Sequence, residues 1–250
     1  MRFDVITLFP ELFDTFLKVG ITRRAFESGQ VEVHFTNPRD FAEGNYRRVD
    51  DRPFGGGPGM VLMAEPLVRA LQHIRVQRAE AHPAPVILFS PIGRRLDQSA
   101  VQDWSQSQGA ILLCGRYEGV DQRFIDAHVD IQISLGDFVV SGGELVAMVF
   151  LDSLARLQPG VLTDQESHAQ DSFNAGLDGL LDAPHFTRPE VWGDCPVPEV
   201  LLAGHHLNIA RWRRNQSLQL TLQHRPDLIA QARANGLLDA NDEAFLAGQK

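Results

Sequence analysis

The first two thirds of the chain alternate short apolar runs with amphipathic stretches. Residues 3–8 and 31–35 read as strands, and Pro10 suits the first turn of a helix running to Lys18, where its missing N–H would be unpaired anyway. Residues 65–74 put Leu67, Val68, Leu71 and Ile74 on one helical face. Three nearly continuous apolar strands follow at 86–89, 110–114 and 129–133, separated by helical segments at 98–105 and 121–127. Another helix is expected over 143–157. Strands apolar on both alternations, set between helices, predict an α/β fold with a parallel sheet covered on both faces.

The periodicity stops after that helix. QPGVLTDQESHAQDSFNAGLDGLLDAP (158–184) is polar and turn-rich, and a connection of that length is usually functional or disordered. Beyond it, 200–202, 207–222 and 226–234 read as helices, and NDEAFLAG reads as a last one capped by Asn241. The expected organisation is an α/β domain over 1–160, a linker over 161–184 and a smaller C-terminal helical domain over 185–250.

Composition narrows the class without naming it. Hydrophobic residues at 44% and charged residues at 22% are ordinary for a soluble globular protein. No apolar run approaches the ~20 residues needed to span a bilayer, and MRFDVITLF has none of the marks of a signal peptide. Cys114 and Cys195 make neither a disulfide framework nor a metal set. The cytoplasm is the expected address. A net charge of −9 argues against gripping nucleic acid by bulk electrostatics. Locally, however, residues 201–225 carry Arg211, Arg213, Arg214 and Arg225 and no Asp or Glu. That basic stretch suits a specific RNA partner, and on charge alone it suits a solvated helix face equally well.

Several chemistries lose their support. FGGGPGM (54–60) is rich in glycine, yet it lacks the Lys and hydroxyl of a phosphate-binding P-loop and fails GxGxxG. Nothing resembles GxSxG, HExxH or a CxxC pair, and His205-His206 has no ligand-spaced partners, so no metal site is expected.

What remains is a set of three loops. The central strands run into SPIGR (90–94), CGRYEG (114–119) and SLGDFVVSGGE (134–144). In an open parallel sheet, ligands bind outside the carboxyl ends of the strands, so these loops should share a site. Glycines let backbone groups approach closely, Leu135, Phe138, Val139 and Val140 offer apolar walls, and Glu118 and Asp137 bring negative charge. No Lys is present for a phosphate. A neutral aromatic ring beside a positive centre fits, which describes S-adenosylmethionine; tight αβ turns with no ligand are the other reading of the same residues.

VDDRPFGGGPGM, LFSPIGR, CGRYEGVDQR, SLGDFVVSGGEL, DSFNAG and PHFTRPEVW occur in this order. Together they resemble the bacterial tRNA (guanine(37)-N1)-methyltransferases, a family of the SPOUT class, from the N-terminus to about RWRRNQSL. The resemblance implies a SPOUT domain with a deep trefoil knot, a rare exception to unknotted chains. It also implies an S-adenosylmethionine donor, a tRNA substrate and a homodimer whose sites lie between subunits. On the donor loops it places Phe89, Ser90, Pro91, Gly115, Arg116, Tyr117, Glu118, Gly119, Ser134, Leu135, Gly136, Phe138, Val140, Ser141, Gly142 and Gly143. Toward the RNA it places Ser167, Ser172, His185, Thr187 and Arg188, with Pro58 and Gly59 beside the target guanine; Arg211 and Arg214 are the expected RNA contacts of the basic stretch.

Methylating N1 of guanine requires removing the N1 proton, a task for a carboxylate base, while charge builds on O6, where a guanidinium stabilises it. By motif position the resemblance gives these roles to Asp171 and Arg156. Without it, Asp171 reads as a turn cap and Arg156 as a cation at a helix end. Phe54, Phe138 and Phe186 stand where many relatives have Tyr, Ile92 where Gln is common, and Gln170 where an acid is common. The resemblance therefore leaves room for Mg²⁺ without assigning it ligands. A SPOUT methyltransferase acting on another RNA position or a ribose 2′-OH, and a non-catalytic RNA-binding module, are the competing readings.

Overall fold

The structure, a computed structural model, describes residues 1–79, 83–162 and 170–249. They divide into two units, the first being Met1–Leu162. Among the described residues no helix is long and apolar enough to cross a membrane.

The first unit runs β1 (Arg2–Ile6), a 3-10 turn at Pro10–Leu12 continuing into α1 (Phe13–Lys18), α2 (Arg23–Glu27), β2 (Glu32–Thr36), β3 (Asp50–Asp51), β4 (Val61–Leu62) and α3 (Ala64–Arg78). It continues with β5 (Val86–Arg95), α4 (Gln98–Ser105), β6 (Gly109–Leu113), α5 (Gln122–His128), β7 (Ile131–Ser134) and α6 (Gly143–Ala155). Five strands form one sheet in the order β2-β1-β6-β5-β7, every pairing parallel. β3 and β4 form a separate antiparallel ladder.

The strand alternation sorts the core into two layers. Phe3, Val5, Ile87, Ala110 and Leu112 point to the side where Phe13, Val101, Val146, Phe150 and Leu154 pack. Ile6, Val86, Leu88, Ile111 and Leu113 point to the other, against Leu67, Leu71, Ile74 and Phe124. A sheet buried on both faces is what the near-continuous apolar strands require. Asp4 is the exception in β1: it is almost wholly buried and ion-paired to Arg78 and Arg2, so no lone charge is left in the core.

Two of the departures from the sequence expectation bear on the site. The third strand begins at Ile131 because α5, capped by the Asp121 side chain, runs on to His128, and Val129 closes it. SPIGR is the second half of β5 rather than a loop after it. β5 pairs Phe89 with Ile133, slips, and pairs Arg94 with the same Ile133. Residues 90–93 therefore form an outward bulge. A Cβ at Gly93 would meet the Gln132 backbone at 2.5 Å, so only glycine lets the strand return.

The second unit holds the hairpin β8 (Val191–Trp192) and β9 (Cys195–Pro196), α7 (Glu199–Leu202), α8 (His206–His224), α9 (Pro226–Ala234) and α10 (Ala240–Ala247). Its small core is Leu180, Leu218, Ile229, Ala232 and Leu246. The described part of the expected linker, from 170 on, belongs to this core. Leu180 is fully buried, and the Leu181 N–H donates to Thr221 Oγ1 at 3.0 Å. The last helix is capped by Asp239, not Asn241: Asp239 and Asp242 form a reciprocal capping box.

Candidate functional site

β5, β6 and β7 lie side by side and parallel, so the bulge of β5 and the loops after β6 and β7 gather at one edge of the sheet. There they enclose a cleft of about 400 Å³. Every donor residue expected from the sequence lines it: 89–91, 115–119, 134–136, 138 and 140–143. Ile92, noted from the sequence only as a departure from relatives, lines it too, as do Gln132 and Val146, which the motifs did not single out. Gln132 needed the pairing register to be seen, since β7 sets it opposite Leu88 of β5.

The loops are fastened to one another through their backbones. The Gly143 N–H, at the start of α6, donates to Gly115 O at 2.9 Å, satisfying a group the helix end leaves open. A Cβ at Gly143 would stand 2.7 Å from Cys114 Cα, so the two loops touch main chain to main chain. Beneath them, wholly buried Glu144 accepts from Thr7 Oγ1 at 2.8 Å and faces Arg116 Nε at 2.8 Å. That second contact is an ion pair too bent for a hydrogen bond, and neither Arg116 Nε nor Glu144 Oε2 has another partner among the described residues. Burial pushes the Cys114 thiol well up, with the Glu144 charge adding to it and Arg116 opposing. It is no thiolate nucleophile.

The cleft suits S-adenosylmethionine. Its volume lies in the range of about 300–1,000 Å³ usual for small-molecule sites. Its walls are apolar (Leu88, Phe89, Leu135, Phe138, Val140), and among the described residues no Lys lines it and its one cation, Arg116, is engaged with Glu144. Glu118 supplies a carboxylate, and the side-chain oxygen assigned to Gln132 is buried without a partner among the described residues, an acceptor open to a ligand donor. Among the described residues no group of three or more His, Cys, Asp or Glu is arranged for a metal.

FGGGPGM is an exposed loop pinned at its far end. The Glu118 N–H donates to Met60 O and the Leu62 N–H to Gly119 O, both at 2.9 Å. Gly59 has φ +76°, and a Cβ there would run into the Glu118 side chain. Pro58 and Gly59 therefore sit beside the donor loop.

The remaining expected residues fall as follows. Arg156 is the C-cap of α6, in the first unit. Asp171 is in the second, opening a turn in which the Asn174 N–H donates to its carbonyl at 3.2 Å. Ser172 Oγ accepts from the Asp182 N–H, and His185 Nε2 stands 2.9 Å from Asp182 Oδ2. His185, Thr187 and Arg188 line a second cleft with Glu190, Leu201 and Arg213. Ser167 lies outside the described residues. Arg211 and Arg214 do not reach this cleft: both bind Asp242, at 3.0 and 2.7 Å, and Arg214 also binds Asp178 at 2.8 Å. Asp242 is 1% exposed, so freeing them would strand a buried carboxylate. Arg213 is the arginine of that run turned to the cleft and to solvent.

A family model described as tRNA (Guanine-1)-methyltransferase TrmD matches residues 1–231. Similar curated proteins carry the name tRNA (guanine-N(1)-)-methyltransferase. One from Albidiferax ferrireducens is 69% identical over all of both chains. One from Paracidovorax citrulli is 67% identical over 99% of this chain and 98% of its own. One from a Polaromonas species is 65% identical over 99% and 96%.

Proposed function

This chain belongs to the tRNA (guanine-1)-methyltransferase family, and from that premise we propose that it methylates N1 of guanine 37, next to the anticodon, with Asp171 as general base. It is an enzyme that methylates guanine N1 in tRNA. The observation that carries the finer reading is the gathering of all the expected donor residues in one cleft of the first unit.

S-adenosylmethionine supplies an electrophilic methyl group on a sulfonium. The apolar walls and loop backbones of the cleft hold its uncharged parts and exclude water, and Glu118 lies where negative charge favours a cation. Asp171 takes the N1 proton of guanine onto its carboxylate, which frees the N1 lone pair to form the new N–C bond as the methyl–sulfur bond breaks and its electron pair stays on sulfur, leaving a neutral thioether. Arg156 donates to O6 as negative charge gathers there. Pro58 and Gly59 present bare backbone to the base. Ser167, Ser172, His185, Thr187 and Arg188 meet the tRNA, and Arg213 makes the RNA contact expected of Arg211 and Arg214.

The donor loops form the trefoil knot of the SPOUT class, and the enzyme works in the cytoplasm as a homodimer with its sites shared between subunits. In support of a dimer, α6 buries Val146, Phe150, Leu151 and Leu154 on one side yet leaves Leu145 and Val149 about half exposed on another. Among the described residues no group of three or more His, Cys, Asp or Glu assigns ligands to Mg²⁺.

The test is methyl transfer from labelled donor to tRNA transcripts bearing G or A at position 37. Transfer to the G transcript alone is expected, and transfer to both or neither refutes the reading. Asp171→Asn should bind donor normally and lose about 10²–10⁴ in transfer rate; substantial turnover would remove it as the base.

A further inference from the structure

Glu144 sits at the second position of α6 with no exposed surface. A carboxylate there loses its hydration and persists only with compensating partners. It has three. The helix N-terminus favours its charge, Thr7 just past β1 donates a hydrogen bond, and the Arg116 guanidinium supplies a cation. Arg116 extends the chain of contacts outward. Its Nη1 donates to the Ser141 carbonyl at 3.2 Å, and its guanidinium lies 4.6 Å from the centroid of the Phe9 ring. Gly142 makes room for it, since a Cβ there would overlap the Arg116 side chain. One charged side chain thus ties the loop after β6 to the loop before α6, and a second anchors it to the end of β1.

Apolar packing would stabilise such a position as well as an ion pair does, or better. What an ion pair with directed donors adds is a fixed place for one carbonyl and one loop. We propose that Glu144 is a positioning residue for the methyl-donor site, acting through Arg116 to hold the 115–119 and 136–143 loops in the shape the donor enters. The proposal rests on the methyltransferase reading of the cleft. Glu144 touches neither donor nor RNA; Arg116 and Ser141 carry its effect.

Glu144→Gln keeps the shape and can still accept from Thr7, but gives Arg116 no charge to face. Calorimetric titration with S-adenosylmethionine should show affinity reduced at least tenfold, with affinity for tRNA unchanged. Hydrogen exchange on the ligand-free protein should quicken at 115–119 and 136–143 while β1, β5 and β6 stay protected. Thr7→Val, a smaller lesion, should shift both readouts in the same direction by less, and it decides the matter if Glu144→Gln fails to fold. Arg116→Gln combined with Glu144→Gln should bind donor no more weakly than the weaker single variant, because the two act as a unit. Unaltered donor affinity and loop exchange, multiplicative losses in the double variant, or exchange quickened equally across the sheet would each overturn the proposal. A wild-type protein that binds no S-adenosylmethionine would overturn the methyltransferase reading itself.

Discussion

Gly143→Ala isolates the contact on which the donor cleft depends. The added Cβ would stand 2.7 Å from Cys114 Cα, 3.0 Å from Gly115 N and 3.2 Å from Cys114 C. All three are backbone atoms, so no side chain can swing aside, and the loops must part by several tenths of an ångström. Parting them breaks the Gly143 N–H to Gly115 O hydrogen bond. Overpacking of this kind costs about 1–3 kcal/mol and a lost hydrogen bond about 1 kcal/mol, together about 2–4 kcal/mol. For a unit of this size that lowers the unfolding temperature by roughly 5–15 °C. Gly115→Ala is the control. Its Cβ would meet only Leu88 and Val120 side chains, at 3.8 and 3.9 Å, and its backbone needs no left-handed conformation. It should be neutral or stabilising by about 0.4–1 kcal/mol, through the unfolded chain. Differential scanning calorimetry of the two variants measures the contrast. Equal unfolding temperatures, or Gly115→Ala as the damaging change, would refute the account of how the loops meet.

Three further outcomes follow from geometry elsewhere. Arg213→Gln should weaken tRNA binding and flatten the slope of log affinity against log salt by about 1, whereas Arg214→Gln should lower the unfolding temperature and leave the slope alone; fluorescence anisotropy and thermal melts separate them. The Asp242 carboxyl is held below its ordinary value: burial pushes it up, and the hydrogen bond and charge of Arg214 outweigh that. A carboxyl depressed on folding contributes stability above its unfolded value and loses it as pH falls through the folded one, so exchange protection of α8–α10 should decline below about pH 4, and Asp242→Asn should remove that acid dependence. Gly59→Ala forces a Cβ onto a left-handed backbone and into Glu118, so transfer should fall at least tenfold while the unfolding temperature, set by the core rather than by this exposed loop, drops by no more than about 5 °C.

β6 and the first half of β5 were legible because both are short apolar runs on both alternations, and the donor segments because ordered motifs sit at the ends of those runs. The pairing register was not. Nothing in LFSPIGR tells that Arg94 returns to the residue Phe89 already faces, because that depends on Gly93 meeting the Gln132 backbone. The polar look of 170–184 hid Leu180, whose burial is decided by helices that come later in the chain. Charge counting found the arginines of α8 but could not sort them. Arg211 and Arg214 are claimed by Asp242, 31 and 28 residues away, and only the fold shows that Arg213 is turned elsewhere. Glu144 was visible as the end of a motif, but its role was not, since Thr7 is 137 residues distant.

That last separation bears on how the protein is made. Thr7 leaves the ribosome well before its partner Glu144, which follows 137 positions later. At about 5–20 residues per second, that interval is roughly 7–27 s. Until it ends, β1 can pair with β2, but β6, β5 and β7 have no α6 to close over them, and the two facing loops cannot meet. The donor cleft is thus completed near the end of the first unit's synthesis, and a nascent chain halted before α6 should have no site for the donor to occupy.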